Sequence, residues 1–529
     1  MPENLAMDFL THHMFRASAR RFPDKEALVH GEERLTYKEV ADRTSGLACG
    51  LKSAGLQAGD RVGIYFDASV AQVVSIFGVS QAGGVFVPIN GQLFPEQVTH
   101  IAKDCRMKAL IAGKTKLASL TEVFKEIPSL EFLVVAGEGE SPAVALPAHV
   151  FEELCGSSTE QLHDVGTEKD LAAILYTSGS TGKPKGVMLS HANLMAGSSI
   201  VSTYLGITDA ERILAVLPFS FDAGLNQLMT AFQQGATLVL MTFVFAMEIV
   251  QMMLKERITA LAGVPTVWSM LAHPASTLQR HAFPRLRYIT NTGGAMPQSV
   301  LATLRKALPT TKIFLMYGLT EAFRSTYLPS EELDRRPTSM GKAIPNTEIL
   351  VIDDRGRRCR PGEVGELVHH GPTVSLGYWG QPELTGRVLK PHPFLPPEVG
   401  EGEKVCYSGD LVRMDEEGFL YFVGRRDNMI KSSGFRISPT EVEEVLLQSG
   451  KVREAAVIGV PDEVLGQAIK AFVAPQSAEP LDSAALLDFC AEKMPRYMVP
   501  KSVAVLDALP KTPTGKIDYP ELRRREGLA

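Results

Sequence analysis

The sequence lacks the features that would place the chain in a membrane or in an oxidising compartment. Its longest apolar-looking stretch, 236–247, is far shorter than the roughly 20 residues of a membrane-spanning helix, and we interpret it as a buried strand. The six cysteines are scattered without a C-x-x-C pair or a nearby histidine, which argues against a zinc site and a disulfide framework. The N-terminus has neither the basic start nor the apolar core of a signal peptide. We therefore expect a cytoplasmic protein without a transmembrane segment.

The charge balance shows no excess of either sign that would indicate a polyanionic partner. A formal net charge of -6 is small against 54 basic and 60 acidic side chains, so nucleic acid is not an expected partner. Hydrophobic residues make up 45% and charged residues 22% of the chain, as in ordinary globular proteins. The length of 529 residues is enough for roughly three or four packed units.

Alternation of apolar runs with helical patterns predicts an α/β protein. Runs such as 61–66 are typical of buried strands, and the pattern at 299–308 is typical of an amphipathic helix. We predict a large N-terminal region, 1–426, built from α/β subdomains plus a β-rich subdomain at 346–426, where short β-like pieces are broken by Gly, Pro and charged turns. A small α+β C-terminal domain is predicted at 427–529.

A helix start lies just inside the predicted C-terminal domain. Ser438 can cap the helix, Pro439 suits its first position, and Glu441 stands at the spacing of a capping box. The strand, helix and strand patterns that follow are enough for a compact module.

A loop rich in glycine, hydroxyl groups and lysine is the most informative segment of the chain. It separates the strand-like runs 171–175 and 187–189, and its backbone N–H groups, hydroxyls and charges suit phosphate. It is not the P-loop of nucleotide-hydrolysing switches, because Pro184 follows the lysine. The alternative is a plain surface loop. The predicted phosphate ligands are Thr177, Ser178, Gly179, Ser180, Thr181, Gly182, Lys183 and Lys185.

Five motifs in order give the chain a family resemblance. In addition to the loop, they are Tyr317-Gly-Leu-Thr-Glu, Tyr407-Ser-Gly-Asp-Leu, Gly424-Arg-Arg-Asp, Ile430-Lys-Ser-Ser-Gly-Phe-Arg-Ile and Pro510-Lys-Thr-Pro-Thr-Gly-Lys-Ile-Asp. The sequence resembles the adenylate-forming superfamily, which contains acyl-CoA synthetases, firefly-luciferase-like enzymes and the adenylation domains of nonribosomal peptide synthetases. The likeness spans nearly the whole chain and is greatest to stand-alone, AMP-forming acyl-CoA synthetases.

The resemblance implies ATP and Mg²⁺ and assigns the adenylation residues. Lys516 matches the lysine that bridges carboxylate and phosphate oxygens, although a lysine at this place could also be solvated surface. Glu321 matches a magnesium-associated acid, with Thr181 as a second expected metal ligand. The other matches are Thr320 at the α-phosphate, Lys185 near pyrophosphate, Asp410 at the ribose hydroxyls, Arg425 beside ribose and phosphate, Gly293, Gly294, Ala295 and Tyr317 in the adenine slot, and Gly318 beside the nucleotide. Asp410 could instead be a turn residue, because Ser-Gly-Asp is turn-like.

The resemblance also implies a second half-reaction in which a thiol attacks the acyl-adenylate. The C-terminal domain is then mobile and rotates about a hinge at Asp427. Lys431 matches a lysine brought to the site after rotation, although such a lysine is often merely solvated. Gly434 matches the glycine beside the thiol tunnel. The thiol belongs to CoA or to the phosphopantetheine of an acyl or peptidyl carrier protein.

The segment 218–227 occupies the place of the acyl pocket, and its interpretation is open. The expected substrate-binding residues are Phe221, Asp222 and Asn226. Phe-Asp is common here in amino-acid-activating relatives, where the aspartate pairs with the ammonium, but Asp222 could equally cap the next helix. Arg324, which follows the Thr-Glu motif closely, could bind an acidic acyl tail or pair with a surface carboxylate.

The sequence thus predicts an ATP-dependent, AMP-forming acid–thiol ligase. Its substrate is a small carboxylic acid or amino acid, and CoA is the leading acceptor. The alternative is a stand-alone amino-acid-adenylating ligase that loads a carrier protein.

Overall fold

The structure is a computed structural model of the chain. It describes residues 8–137, 146–156, 163–177, 184–400, 402–432, 435–462, 465–477, 480–512 and 515–528.

Helices of the described residues are numbered in chain order. They are α1 (Thr11–Arg21), α2 (Tyr37–Ser53), α3 (Val70–Gln81), α4 (Pro95–Asp104), α5 (Lys114–Ala118), α6 (Phe151–Gly156), α7 (His191–Leu205), α8 (Asp222–Gln234), α9 (Ala246–Lys255), α10 (Pro265–Ala272), α11 (Gln298–Ala307), α12 (Pro382–Val388), α13 (Pro397–Gly400), α14 (Pro439–Gln448), α15 (Ser483–Lys493) and α16 (Tyr519–Arg525).

Strands of the described residues are numbered in the same way. They are β1 (Glu26–His30), β2 (Glu33–Thr36), β3 (Arg61–Phe66), β4 (Val85–Asn90), β5 (Ala109–Gly113), β6 (Phe132–Ala136), β7 (Ala148–Val150), β8 (Leu171–Thr177), β9 (Lys185–Ser190), β10 (Arg212–Ala215), β11 (Thr237–Leu240), β12 (Ala260–Gly263), β13 (Tyr288–Asn291), β14 (Lys312–Leu319), β15 (Ala322–Leu328), β16 (Lys342–Ala343), β17 (Glu348–Ile352), β18 (Val364–His370), β19 (Gly377–Tyr378), β20 (Leu389–Pro391), β21 (Lys404–Met414), β22 (Leu420–Arg425), β23 (Ile430–Ser432), β24 (Phe435–Ile437), β25 (Val452–Asp462), β26 (Gly466–Pro475) and β27 (Ser502–Val505).

The chain divides into two compact units. The first contains residues 1–348 and 369–406, and the second contains residues 349–368 and 407–529. The predicted α/β class with a small C-terminal module is confirmed by the mixture of helices and sheets in the two units. The predicted domain boundary at 426/427 stays a prediction.

Two large sheets organise the first unit. One runs β16-β15-β14-β13-β12-β10-β11-β1-β2, with a parallel centre from β14 to β1. The other runs β19-β9-β8-β4-β3-β5-β6-β7, with a parallel series from β8 to β7. The central strands are apolar on both faces because helices cover parallel sheets on both sides. Parallel strands also align their carboxyl ends, where ligands bind in open α/β sheets.

Four aromatic side chains lie in the core that the helices of this unit share. Phe15 stacks on Phe77 with ring centroids 5.0 Å apart, and Phe77 stacks on Phe232 at 5.3 Å. Tyr37 lies 5.5 Å from Phe232 and donates its hydroxyl to the carbonyl of Ala236 at 2.6 Å. The buried phenol therefore keeps a hydrogen bond within an otherwise apolar core.

The second unit contains two smaller sheets. In this unit β18 lies between β17 and β21, and β22 pairs with β21. The order β24-β23-β26-β25, with β27 on β26, forms the other sheet, on which α14 and α15 pack around Val442, Leu446 and Cys490. Ser438 caps α14 as predicted, because its hydroxyl accepts from the N–H of Glu441. The same hydroxyl donates to the carbonyl of Val423.

The apolar stretch 236–247 is a strand only in its first half. The buried strand β11 ends at Leu240, and α9 begins at Ala246. Glu248 accepts the N–H groups of Val244 and Phe245 at 2.7 and 3.0 Å, so it fixes the helix start that hydropathy alone conceals. Across the described residues, no helix combines the length and apolar character that crossing a bilayer requires.

Candidate functional site

The two ends of the predicted phosphate loop are brought together by a β-ladder. β8 and β9 pair antiparallel, with Thr177 opposite Lys185 and Tyr176 opposite Gly186. A side chain at Gly186 would meet Ile174 at 2.7 Å, which explains the glycine on steric grounds. The predicted ligands Ser178, Gly179, Ser180, Thr181, Gly182 and Lys183 lie outside the described residues.

A hydrogen-bonded base supports this ladder. The hydroxyl of Tyr176 donates to Asp104 at 2.5 Å, and the indole of Trp379 donates to the carbonyl of the same aspartate at 3.0 Å. Trp379 also donates its backbone N–H to the carbonyl of Gly186 at 2.8 Å. Hydrogen bonds among Tyr176, Asp104, Trp379 and Gly186 therefore hold the two strands that flank the loop.

The predicted adenine segment follows the carboxyl end of β13. Asn291 closes it by donating to the carbonyl of Gly294 at 2.8 Å, and Gly293 has φ +79°, which favours glycine. Ala295 follows directly in the chain. Tyr317 lies near the end of the neighbouring strand β14, so these residues share one edge of the sheet.

His369 lies beneath Tyr317 and was not predicted from the sequence. The two rings are nearly parallel, with centroids 6.1 Å apart. Within the described residues neither ring nitrogen of His369 has a hydrogen-bond partner, and burial lowers its pKa to about 3. His369 is therefore a neutral, flat support for Tyr317.

The Thr-Glu motif occupies the turn from β14 to β15. Thr320 is buried and Glu321 is partly buried. The hydroxyl of Tyr378 donates to Oε1 of Glu321 at 2.5 Å. Gly318 lies where a Cβ would approach the Cα of Arg324 to 3.3 Å, so β14 and β15 are close at this point.

Tyr378 connects this turn to the phosphate loop. It belongs to β19, in which it pairs with Val187 of β9, the strand that leaves the loop. Because its hydroxyl holds Glu321, the predicted metal ligand is fixed relative to the loop strand. Local sequence patterns do not indicate this residue, since 57 positions separate the two partners.

The predicted acyl-pocket residues lie at the start of α8. Phe221 is the N-cap residue, and Asp222 is the first residue of the helix rather than its cap. The buried carboxylate of Asp222 accepts the N–H of Ala223 at 2.8 Å, which favours its structural role at the positive end of the helix. Asn226 is 2% exposed, and its Nδ2 has no hydrogen-bond partner among the described residues.

A small cavity of about 30 Å³ lies beside α8. Polar side chains of Asn226, Gln227, Thr230, Thr290, Thr292 and Arg324 line it together with aliphatic residues of β12 and α7. Arg324 is 5% exposed and donates to Thr292 at 3.3 Å. The possibility that Arg324 pairs with a surface carboxylate is therefore wrong, because the side chain is inside the unit.

The predicted ribose residues lie in the second unit as an ion pair. Asp410 on β21 stands directly opposite Arg425 on β22, with Oδ1 and Nη1 3.0 Å apart. Asp410 is 4% exposed and lies inside an extended strand, so the turn interpretation of Ser-Gly-Asp is wrong. Gly409 has φ +73° and donates its N–H to Glu366 at 3.0 Å, which accounts for the turn-like sequence within a strand.

The residues predicted for the second half-reaction are described only in part. Asp427 belongs to a 3₁₀ turn, Arg426–Asn428, and Lys431 belongs to β23. Gly434 lies outside the described residues.

Lys516 lies in a tight turn near the C-terminus. Its carbonyl accepts the N–H of Thr512 at 2.7 Å, and Gly515 donates its N–H to the carbonyl of Thr512 at 2.8 Å. Its side chain is exposed. A bridge between Lys511 and Ile517 closes the base of the turn.

Glu443 is a buried acid of the second unit that sequence reasoning missed. It accepts from the hydroxyl of Tyr519 at 2.7 Å and from the N–H of Val457 at 2.8 Å. Burial raises its pKa to about 7 despite these hydrogen bonds. It joins α14 to β25 and α16.

Comparison with known proteins gives consistent matches over the chain. The family model described as AMP-binding enzyme matches residues 15–379, and that of the AMP-binding enzyme C-terminal domain matches residues 441–516. Feruloyl-CoA synthase from Amycolatopsis sp. is 33% identical over 96% of this chain and 97% of its own length. The crystal structure of an anthranilate CoA ligase in complex with anthranoyl-AMP has a TM-score of 0.89 and 27% identity, covering 99% of this chain and 98% of that one.

Tyrocidine synthase 1 from Brevibacillus parabrevis, with 31% identity over 96% of this chain, is a longer relative. The chain spans 44% of its length, and 14% of the length of tyrocidine synthase 2 from the same organism.

Proposed function

The chain belongs to the AMP-binding enzyme family, and we propose that it is an ATP-dependent, AMP-forming acid–thiol ligase. It joins a carboxylate to AMP with release of pyrophosphate and transfers the acyl group to CoA as a thioester. The observation that carries this proposal is the hydrogen bond from Tyr378 to Glu321, which fixes a carboxylate relative to the strand leaving the phosphate loop. A fixed acid beside a phosphate loop is the arrangement that a metal-bound triphosphate requires.

In the first half-reaction a carboxylate oxygen of the acid attacks the α-phosphorus, and the bond to the departing pyrophosphate breaks. Thr177, Lys185 and the loop between them bind the outgoing phosphates, and Lys516 neutralises charge on the reacting oxygens. Glu321 and Thr181 offer the hard oxygen ligands that Mg²⁺ prefers, and the bound ion neutralises phosphate charge. Tyr378 keeps one oxygen of Glu321 in place throughout.

In the second half-reaction the thiol sulfur attacks the acyl carbon, the mixed anhydride breaks and AMP leaves. Asp410 and Arg425 hold the ribose of the nucleotide, and their existing ion pair orients both side chains before it arrives. Asp427, Lys431 and Gly434 serve the thiol step in this proposal, through rotation of the predicted mobile C-terminal domain.

CoA is the proposed acceptor because relatives that align with this chain from end to end are named as CoA ligases, such as feruloyl-CoA synthase. The tyrocidine synthases match over a part of their length only. The carrier-protein alternative rested on Asp222, whose carboxylate is engaged by its own helix. A cytoplasmic location, expected from the scattered cysteines, is part of the same proposal.

Acid-dependent exchange of labelled pyrophosphate into ATP tests the adenylation step. Short aliphatic, fatty, aryl and amino acids are assayed at saturating Mg²⁺, and thioester formation is then followed with CoA and, separately, with a phosphopantetheinylated carrier protein. We expect exchange with one class of acid, and AMP and acyl-CoA formed in equal amounts. Exchange with no acid would refute the ligase, and thioester on the carrier protein alone would refute CoA as acceptor.

A further inference from the structure

Arg324 is a buried cation without a carboxylate partner in the part of the chain that the structure describes. Its single hydrogen bond to a side chain goes to Thr292 at 3.3 Å, and its Nε has no partner. The other arginine buried to a similar degree, Arg336, differs: it is 7% exposed and pairs with Glu332 at 2.5 Å. Within this unit, Arg336 is therefore neutralised by a carboxylate, whereas Arg324 has no carboxylate partner among the described residues.

A guanidinium stays charged in proteins, so burial without a counter-ion is costly. Burying an uncompensated charge is strongly unfavourable, and a bound ligand of opposite charge removes this penalty. Thr292 is neutral and cannot do so. An anionic ligand would.

The cavity beside Arg324 has the chemistry to receive such a ligand. Asn226, on the helix predicted to bind the acyl group, also lines this cavity, and its Nδ2 is a second buried donor without a partner among the described residues. Thr230, Thr290 and Thr292 add hydroxyls. A fatty acyl chain would leave Nε of Arg324 and Nδ2 of Asn226 unpaired, and an unpaired buried donor is unfavourable. The volume of about 30 Å³ also suits a few atoms rather than a long chain.

We propose that this cavity binds the second carboxylate of a short dicarboxylic acid, with Arg324 as its counter-ion and Asn226 as an additional donor. The first carboxylate is the one that becomes adenylated. Glu321 precedes Arg324 by only three positions, so the subsite lies close along the chain to a residue of the predicted reaction centre. The inference rests on the proposed adenylation activity and names its substrate class.

Pairs of acids with equal carbon number test the proposal with the unmodified enzyme. Pyrophosphate exchange is measured with succinate against butanoate, glutarate against pentanoate and adipate against hexanoate. We expect kcat/KM for the best dicarboxylate to exceed that of its monocarboxylate by at least about 100-fold, because a site built for a polar group rejects analogues that lack it. Succinamate, which is neutral at the far end, and 4-aminobutanoate, which is cationic there, should both be poor substrates.

Substitution of Arg324 assigns the preference to this residue. In Arg324→Met the dicarboxylate should lose about 100-fold in kcat/KM while the monocarboxylate changes less than about 5-fold, and Arg324→Lys should retain part of the preference. Arg285→Met, at an exposed arginine of the same unit, is the matched control and should behave as wild type. Retained exchange with the monocarboxylate shows that Arg324→Met is folded.

The outcomes separate this inference from the proposed function. If monocarboxylates, aryl acids or amino acids without a second carboxylate are preferred by the unmodified enzyme, the dicarboxylate subsite is refuted and the ligase stands. An unchanged preference in Arg324→Met also refutes the subsite. If no acid of any class supports exchange, the proposed function fails and the inference fails with it. The comparison of acid pairs uses the unmodified enzyme, so it tests the subsite even if Arg324→Met does not fold.

Discussion

The two compact units hold their predicted functional side chains in different ways. In the first unit they are fixed by neighbours: Tyr378 holds Glu321, and Arg324 is 5% exposed. In the second unit the predicted cations lie outward: the side chain of Arg425 is 49% exposed, and Lys516 is exposed on a tight turn. Buried, hydrogen-bonded groups are suited to selecting a substrate, because their geometry exists before it binds.

Exposed lysine and arginine side chains follow a different logic. An exposed lysine such as Lys516 loses rotamer entropy when a ligand orders it, whereas Arg425 is already held by its ion pair with Asp410. We infer that the first unit sets which acid reacts, whereas the cations of the second unit set how fast the reaction proceeds.

The largest effect is expected at Lys516. Lys516→Ala should lower acid-dependent pyrophosphate exchange by about 10³-fold, because the cation proposed to neutralise charge on the reacting oxygens is removed. Thioester formation from supplied acyl-AMP should stay within about 3-fold of wild type.

Lys511→Ala changes the neighbouring lysine at the base of the same turn, where Lys511 pairs with Glu454 at 2.5 Å. This control should leave both half-reactions unchanged. Equal loss of both half-reactions in Lys516→Ala would contradict a role confined to adenylation.

A proline at position 427 should separate the two half-reactions in the opposite sense. Asp427→Pro fixes φ in the 3₁₀ turn Arg426–Asn428, so we expect thioester formation to fall about 100-fold while pyrophosphate exchange survives. Asp427→Ala keeps backbone freedom and should retain both activities. Single-turnover assays of each step provide the measurement. Normal thioester formation by the proline variant would contradict the hinge at Asp427.

Removing the hydroxyl of Tyr378 tests positioning in the first unit. Tyr378→Phe should raise the Mg²⁺ concentration for half-maximal exchange about 10-fold, with activity recovered at high Mg²⁺, since a hydrogen bond to a charged group contributes about 1.5–3 kcal/mol. A merely structural tyrosine would lower activity at every Mg²⁺ concentration alike.

Tyr65→Phe is the matched control, because its hydroxyl donates to a backbone carbonyl, that of Leu93 at 2.8 Å, and not to a predicted ligand. It should leave the Mg²⁺ dependence unchanged. The same shift in both variants would contradict a specific link between Tyr378 and Glu321.

Local patterns predicted the parts of the fold that neighbouring residues determine. β3 covers Arg61–Phe66 as the apolar run predicts, α11 covers Gln298–Ala307, and Ser438 caps α14. In each case the information lies within one turn or one strand, where periodicity and capping chemistry act.

Contacts between distant segments could not be predicted in this way. Tyr378 and Glu321 meet only because β19 pairs with β9, and His369 lies under Tyr317 only because separate strands converge. Arg324 looked equally suited to surface or pocket, since burial depends on how sheets and helices pack. A single sequence does not show which distant residues contact each other. The motifs therefore predicted Glu321 and Tyr317 but not Tyr378 and His369, which contact them.

The smallest predicted effect concerns Glu443, the buried acid of the second unit. Its pKa in the folded protein is about 7 because of burial, against an ordinary value of 4.5, so the folded state binds the proton more tightly than the unfolded state. The resulting stabilisation is complete below about pH 4.5 and is lost as the pH rises to about 7, a change of at most about 3 kcal/mol.

Glu443→Gln mimics the protonated acid and should remove this pH dependence. Hydrogen exchange of the amides in β25, corrected for the intrinsic rate, measures it, because Val457 donates its N–H to Glu443. Asp488→Asn, at an exposed acid of the same unit, is the control and should keep the wild-type profile. Lys516 and Arg425 belong to the same unit as β25. If hydrogen-exchange protection of the β25 amides in the wild-type protein does not change between pH 4.5 and 7, this unit does not loosen as the pH rises. Ionisation of Glu443, on α14, would then not increase the freedom of the exposed cations of this unit.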